Sequence, residues 1–172
     1  MDHLKSHIRD IPDFPKKGIL FRDITPILKD PKVFDEVIGA LRDRYAGMKI
    51  DKIFAVESRG FIFAAPLARE IGAGLIPLRK PGKLPYETMS VSYALEYGEE
   101  RIEVHRDAIE KGERVLVLDD LLATGGTAAA AVELARKLGG EVVEAGFVIE
   151  LASLGGREKL PDVPVYSVVS YD

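Results

Sequence analysis

The sequence predicts an α/β fold in which a largely parallel, twisted sheet is flanked by helices. Two features of the 172-residue chain support this prediction. Runs of branched apolar residues alternate with segments in which apolar residues recur at helical spacing. Two of these runs, at residues 51–56 and 115–118, each lead through a small polar turn into a helical segment. Connections this short imply right-handed crossovers between parallel strands, and we expect one domain over residues 1–172.

The composition limits the classes of function. The chain is 47% hydrophobic and 30% charged, which is typical of a folded soluble protein. Its net charge of −4 gives no reason to expect a nucleic-acid partner, and the absence of cysteine excludes disulfides and thiolate metal sites. The N-terminus lacks the apolar core of a secretory signal, and no apolar run approaches the ~20 residues of a membrane span. We therefore expect a cytoplasmic protein without a membrane partner.

The N-terminal segment at residues 11–28 (IPDFPKKGILFRDITPIL) is apolar, but Pro12, Pro15 and Pro26 predict an irregular conformation. Such a segment is typical of either a packed coil or a wall of a flat, apolar ligand pocket. In the second interpretation Phe21 would offer a stacking surface, and backbone groups would offer donors and acceptors.

The first strand–turn–helix unit comes after an amphipathic helix, which we expect to begin at Asp30 and Pro31. Its strand, at residues 51–56, is followed by the turn ESRG and a helix. In this turn Arg59 would bring a permanent charge to helix-start amides that already favour an anion. Gly60 would let the backbone approach a ligand closely.

The next elements are a short strand and a hairpin. The strand at residues 74–78 leads into a cationic loop at residues 79–87, which is typical of either a solvated loop or a lid over phosphates. Residues 88–98 and 100–107 alternate as the two arms of a hairpin do. After the second strand–turn–helix unit we expect a strand at 141–150, a short helix at 154–160 and a strand at 164–169.

Residues 115–127 (VLVLDDLLATGGT) carry the clearest chemistry. An apolar strand is expected at residues 115–118, directly before Asp119 and Asp120, and a loop of small residues then leads into an alanine-rich helix. This loop offers consecutive N–H groups at the positive end of a helix, together with the hydroxyls of Thr124 and Thr127, so it would cradle a terminal phosphate monoester. The two acids would repel that phosphate and fit the vicinal hydroxyls of a sugar or a hydrated magnesium ion. The stretch therefore predicts a site for a ribose 5-phosphate.

This stretch resembles the phosphoribosyl pyrophosphate binding motif of the type I phosphoribosyltransferase family, in the form found in its adenine phosphoribosyltransferases. Three further stretches resemble motifs of that family in the same order. They are a base-binding hood at residues 13–28, a pyrophosphate loop at 56–63, and a flexible catalytic loop containing residues 82–85 and 94–98. The resemblance implies a hood over about residues 1–30 and a catalytic loop and hairpin over about residues 79–105.

The resemblance implies transfer of a 5-phosphoribosyl group from phosphoribosyl pyrophosphate to adenine, which gives AMP and pyrophosphate in purine salvage. It also implies Mg²⁺ as cofactor, held mainly through substrate and water, and a homodimer as the assembly. The implied catalytic residues are Arg59, Lys83, Glu96 and Tyr97, with Glu96 managing a proton on the base.

The implied substrate contacts are grouped by the part of the substrate that they meet. The 5′-phosphate would be held by Ala123, Thr124, Gly125, Gly126 and Thr127. The ribose hydroxyls would meet Asp119 and Asp120, which are also the candidate magnesium ligands. Pyrophosphate would be held by Ser58, Arg59 and Gly60. Adenine would meet Leu20 and Arg22 at its edge, largely through backbone, and Phe21 and Leu151 on its faces.

Two alternatives stay open at this stage. One is the same reaction on another purine or pyrimidine base, and the other is a non-catalytic regulator that binds phosphoribosyl pyrophosphate. The FRD segment at residues 21–23 favours adenine. The short chain and the presence of Lys83, Glu96 and Tyr97 favour an enzyme.

Overall fold

The computed structural model describes residues 1–94 and 98–172. Its helices and strands, in chain order, are β1 (Arg9–Pro12), β2 (Leu20–Asp23), α1 (Thr25–Lys29), α2 (Pro31–Tyr45), β3 (Lys52–Val56), α3 (Arg59–Ile71), β4 (Gly74–Leu78), β5 (Thr88–Ala94), β6 (Glu99–His105), β7 (Arg114–Leu122), α4 (Gly126–Lys137), β8 (Glu141–Leu151) and β9 (Val165–Tyr171). Three short 3₁₀ helices lie at Asp2–His7, Ala152–Leu154 and Gly156–Lys159.

The main sheet confirms the predicted fold class. Its five strands run in the order β4-β3-β7-β8-β9, and each neighbouring pair is parallel. The carboxyl ends of all five strands therefore meet at one edge of the sheet. Strands β5 and β6 form the expected antiparallel hairpin.

Both faces of the main sheet are covered. Along the central strand β7, Leu116 and Leu118 point to one face and Val115 and Val117 to the other, because side chains alternate along a strand. The first face packs against α1, α2 and α3, and the second packs against α4 and the β5–β6 hairpin. None of the helices in residues 1–94 and 98–172 has the length and apolar character that crossing a bilayer requires.

The local signals for α2 and α3 act as expected. The Asp30 side chain accepts hydrogen bonds from the amides of Lys32 and Val33, and Pro31 occupies the first turn of α2. Helix α3 ends where Gly72 adopts a left-handed conformation, with φ of 71°.

The prediction of an irregular N-terminal segment was wrong. Residues 9–12 and 20–23 pair as an antiparallel ribbon, and Thr25–Lys29 form a helix. The prolines are compatible with this arrangement because of where they fall. Pro12 is the last residue of β1, opposite Leu20, and Pro26 lies in the first turn of α1, where its missing N–H costs nothing.

Two predicted boundaries also differ from the structure. Strand β7 does not end at Leu118 but continues to Leu122, so Asp119 and Asp120 lie inside a strand that still pairs with β8. The helix expected at residues 154–160 is instead two 3₁₀ turns, because Gly155 interrupts it with φ of 66°.

Candidate active site

The carboxyl edge of the sheet brings the two strand–turn–helix units together. Strands β3 and β7 are neighbours, with Ala55 opposite Leu118, so the turn after β3 lies beside the acids of β7. A cavity of about 420 Å³ opens between them. It is lined by Val56, Glu57, Ser58, Arg59, Lys80, Tyr93, Glu100, Ile102, Asp119, Asp120 and Thr127. Five of the predicted site residues therefore share one cavity.

Of the residues predicted to bind phosphate, 123–127, the first three form the loop between β7 and α4, and the last two begin α4. A second cavity of about 220 Å³ is lined by Arg59 and by every residue from Asp119 to Ala128. Gly125 precedes α4 with φ of 79°, and no described side chain caps this helix start. The amides of the first turn of α4 are therefore free of side-chain caps and suited to an anion.

Asp120 on β7 and Arg59 at the start of α3 form an ion pair. Arg59 Nε lies 2.7 Å from Asp120 Oδ2, and the Asp120 side chain is only 7% exposed. Burial raises the pKa of Asp120, and the charge of Arg59 opposes this shift. The pair holds the guanidinium at the cavity that both residues line.

Asp119 lines both cavities, as Asp120 does, but unlike Asp120 it forms no ion pair among the described residues. Its Oδ1 accepts a hydrogen bond from the amide of Asp120 at 2.8 Å. Burial and the negative charge of Asp120 together raise the pKa of Asp119 well above its usual range. A sugar hydroxyl or a cation at Asp119 would favour its ionised form.

Glu57 is a site residue that the sequence prediction missed. Its side chain is 8% exposed and accepts hydrogen bonds from Arg79 Nε at 3.0 Å, from the Lys80 amide at 2.9 Å and from Lys83 Nζ at 2.5 Å. Burial acts to raise the pKa of Glu57, but these three donors outweigh it and lower the pKa below its ordinary value. Lys83 is thus tied to the turn after β3. The signal for Glu57 was its position directly after an apolar run of the sequence, as Asp119 and Asp120 directly follow the run at residues 115–118.

A chain of hydrogen bonds links the hairpin to the phosphate loop. Thr127 Oγ1 donates to Tyr93 Oη at 3.0 Å, and Tyr93 Oη donates to Glu100 Oε2 at 2.8 Å. Because an ionised carboxylate only accepts and a phenol has one proton, the direction of this chain is fixed. Burial, with the charge of Glu100 adding to it, raises the pKa of Tyr93 to about 12, so the phenol keeps its proton. The Thr127 proton is therefore directed at Tyr93.

Gly60 has a structural reason to be glycine besides the predicted approach of a ligand. A Cβ at this position would lie 3.1 Å from the carbonyl oxygen of Leu118 and 3.1 Å from Asp119 Oδ1. The small size of Gly60 therefore lets α3 approach β7.

The hood residues lie on β2. The Phe21 ring packs edge-on against Phe14, with 5.1 Å between ring centroids, and the Arg59 guanidinium lies 5.4 Å from the Phe21 centroid. The Arg22 side chain pairs with Asp10 and lies over the Tyr171 ring, so only its backbone is left for a base. Leu20 is 45% exposed.

Some predicted residues lie outside the two cavities. Leu20, Phe21, Arg22 and Leu151 line neither of them. Leu151 is half-buried at the end of β8, opposite Tyr171. The prediction for Glu96 and Tyr97 falls outside the described residues.

Comparison with known proteins identifies the class that this fold and site define. Residues 23–172 match the family model of the phosphoribosyl transferase domain. An adenine phosphoribosyltransferase of Geobacter metallireducens is 58% identical over 99% of this chain and 100% of its own length. The crystal structure of adenine phosphoribosyltransferase from Thermoanaerobacter pseudethanolicus is 51% identical, with a TM-score of 0.96 over 98% of each chain. That of the Saccharomyces cerevisiae enzyme, complexed with an imino-altritol bisphosphate and adenine, is 43% identical, with a TM-score of 0.91 over 96% of each chain. The chain belongs to the adenine phosphoribosyltransferase family.

Proposed function

We propose that this chain transfers the 5-phosphoribosyl group of phosphoribosyl pyrophosphate to adenine, giving AMP and pyrophosphate in purine salvage. The observation that carries the proposal is a pair of cavities at the carboxyl edge of β3 and β7, both of which are lined by Arg59, Asp119, Asp120 and Thr127. These shared residues join the turn proposed for pyrophosphate, the two acids and the loop proposed for phosphate. The likeness to adenine phosphoribosyltransferases over the full chain supports adenine as the base.

The turn after β3 is suited to the leaving group. Displacement at the anomeric carbon builds negative charge on the departing pyrophosphate and positive charge on the sugar. Arg59 and the backbone of Ser58 and Gly60 would stabilise the pyrophosphate, with Lys83 held nearby by Glu57. Asp119 would lie on the sugar side, where a negative charge favours the cationic ribose.

The loop at residues 123–125 and the start of α4 would hold the 5′-phosphate. The uncapped amides of the first turn and the positive end of the helix both favour a dianion. The Thr124 and Thr127 hydroxyls would add donors. On phosphate binding, Thr127 would turn its proton from Tyr93 to a phosphate oxygen.

The hood would supply the adenine site. Phe21 offers an aromatic ring that contacts Phe14 edge-on and lies 5.4 Å from the Arg59 guanidinium. Its nearness to Arg59 supports a base site next to the turn proposed for the leaving group. The edge of the base would meet the backbone of Leu20 and Arg22, because the Arg22 side chain is engaged elsewhere. Leu151 is proposed for the second face, and Glu96 and Tyr97 for the catalytic loop.

We also propose Mg²⁺ as the cofactor. The described residues contain no group of three or more histidines, cysteines or acids that could hold a metal ion. One or two carboxylates, here Asp119 and Asp120, fit Mg²⁺ bound mainly through substrate oxygens and water. When bound, the ion would neutralise charge on the pyrophosphate.

A homodimer and a cytoplasmic location are further proposals, and both rest on the family resemblance. Light scattering on the purified protein would test the dimer. A mass equal to one chain at all concentrations would refute it.

A panel of bases tests the function. Purified protein with Mg²⁺ and phosphoribosyl pyrophosphate is assayed for pyrophosphate release with adenine, hypoxanthine, guanine, xanthine and orotate. We expect the highest kcat/KM with adenine. A higher kcat/KM with another base would overturn the adenine assignment, and binding without turnover of any base would indicate a regulator.

A further inference from the structure

The back of the phosphate loop rests on the segment at residues 152–159, which follows β8. A Cβ on Gly125 would lie 2.3 Å from the carbonyl oxygen of Gly156, and a Cβ on Gly156 would lie 2.4 Å from the carbonyl oxygen of Ala123. Real Cβ atoms essentially never come within 3.0 Å of such atoms, so both positions need glycine. The two backbones pack directly on each other, and one cannot shift without moving the other.

Arg157 ties this segment to the sheet. Its Nε and Nη2 donate to the two carboxylate oxygens of Glu150 at 2.6 and 2.7 Å, and its Nη1 donates to the carbonyl oxygen of Val165 at 3.0 Å. Glu150 is buried and also accepts from Ser167 Oγ at 2.6 Å. The planar guanidinium is therefore fixed at three points, two on Glu150 of β8 and one on Val165 at the start of β9, while Ser167 of β9 holds the carboxylate.

We propose that Arg157 is a positioning residue for 5′-phosphate binding: it holds Gly156 against the phosphate loop and so fixes the loop backbone. This inference rests on the proposed function, because it takes the loop to be the 5′-phosphate site. Leu151, proposed for the base, lies between Glu150 and the anchored segment. The same anchor therefore supports both ends of the bound nucleotide.

A purely structural role for Arg157 makes a different prediction, and Arg114 provides the matched control. Arg114 Nη1 pairs with Glu141 at 2.6 Å, and its Nη2 donates to the carbonyl oxygen of Met48 at 3.2 Å. It begins β7, so it lies at the amino edge of the sheet, away from both cavities. If arginine anchors matter only for folding, substitutions at Arg157 and at Arg114 should have the same effect on the affinity for ribose 5-phosphate.

The test is calorimetric titration of ribose 5-phosphate into the wild type, Arg157→Met, Arg157→Lys and Arg114→Met. Thermal unfolding first establishes a temperature at which all four proteins are folded. We expect the dissociation constant to rise by roughly tenfold or more in Arg157→Met, since displacement of a binding group by a fraction of an ångström is costly. The dissociation constant of Arg157→Lys should lie between those of the wild type and Arg157→Met. An ammonium keeps the charge but lacks the planar, bidentate donor geometry of a guanidinium. Arg114→Met should stay within about twofold of the wild type.

Gly156→Ala keeps the ion pair but displaces the loop directly, so it provides the test if Arg157→Met does not fold. We expect a similar loss of about tenfold in affinity. An unchanged affinity in a folded Arg157→Met or Gly156→Ala, or an equal loss in Arg114→Met, would overturn the positioning role alone. A wild-type protein that does not bind ribose 5-phosphate would overturn the proposed function as well.

Discussion

The two anion-binding turns of this molecule are held in place by different forces. The turn at residues 57–60 is held by charge, through Arg59 with Asp120 and through Glu57 with Lys83 and Arg79. The loop at residues 123–125 is held by close backbone packing. The cation of an ion pair can be shared with an incoming anion, whereas a packed backbone resists displacement.

This difference fits the proposed chemistry. Pyrophosphate must leave in each cycle, so its site benefits from charges that can return to protein partners. The 5′-phosphate stays bound from substrate to product, so its site benefits from a fixed backbone.

Arg59→Ala should have the largest effect on activity. It removes the charge at the pyrophosphate turn and leaves Asp120 buried without its partner. We expect kcat/KM for phosphoribosyl pyrophosphate to fall by about 10²–10³-fold. Asp120→Asn should lower it less, because the guanidinium remains. Steady-state kinetics measures both, with circular dichroism as the control for folding. Near-normal kinetics in either variant would refute its assigned role.

Gly125→Ala should have the largest effect on the packed side. The added methyl would meet the Gly156 carbonyl at 2.3 Å, and φ of 79° is strained for alanine. We expect the free energy of unfolding to fall by about 1–3 kcal/mol. Urea denaturation measures this loss. Gly82→Ala is the matched control, since Gly82 also has positive φ but no described atom within 4 Å of an added Cβ. Equal losses of unfolding free energy in the two variants would show that backbone strain at positive φ, and not packing against Gly156, causes the destabilisation.

The secondary structure around the two turns followed from the sequence because its signals are local. Continuous apolar runs placed β3 and β7, Asp30 with Pro31 placed the start of α2, and Gly74–Leu78 was predicted with the observed bounds. The N-terminal ribbon was missed because residues 9–12 pair with residues 20–23, which are distant in sequence. The positions of the prolines allow this pairing but do not predict it.

The site was predictable where residues adjacent in sequence act together. The acids and the loop at residues 119–127 are of this kind. Glu57 was missed because its partners lie 22 to 26 residues away, and Gly156 was missed because its contact with Gly125 joins two separate loops. The charge at the first turn was visible in Arg59, but its pairing with Asp120 depends on the order of strands in the sheet.

Glu57→Gln tests the charge-held side through pH. The folded state lowers the pKa of Glu57 below its ordinary 4.5, so the ionised carboxylate stabilises the fold above that pH, and this contribution is lost as pH falls through the folded pKa. We expect the free energy of unfolding of the variant to be about 1–2 kcal/mol lower than that of the wild type near neutral pH. The difference from wild type should shrink below pH 4.5. Urea denaturation across pH measures it, and a difference independent of pH would contradict the assignment.

Tyr93→Phe should have the smallest effect. The ring keeps its contact with Gly126, but the Thr127 proton loses its acceptor and is free for a phosphate oxygen. We expect ribose 5-phosphate to bind about 2–5-fold more tightly, as one competing hydrogen bond is removed. Calorimetric titration measures the change. Weaker binding would show that Tyr93 supports the phosphate site and does not compete with it.

The division between the two turns is tested most directly by titrating Arg59→Ala with AMP and with phosphoribosyl pyrophosphate in the presence of Mg²⁺. AMP carries only the 5′-phosphate, whereas phosphoribosyl pyrophosphate carries both anionic groups. We predict that AMP affinity stays within about threefold of wild type, while phosphoribosyl pyrophosphate affinity falls by about tenfold or more. An equal loss for both ligands would contradict the division, because the two turns would then act as a single anion site.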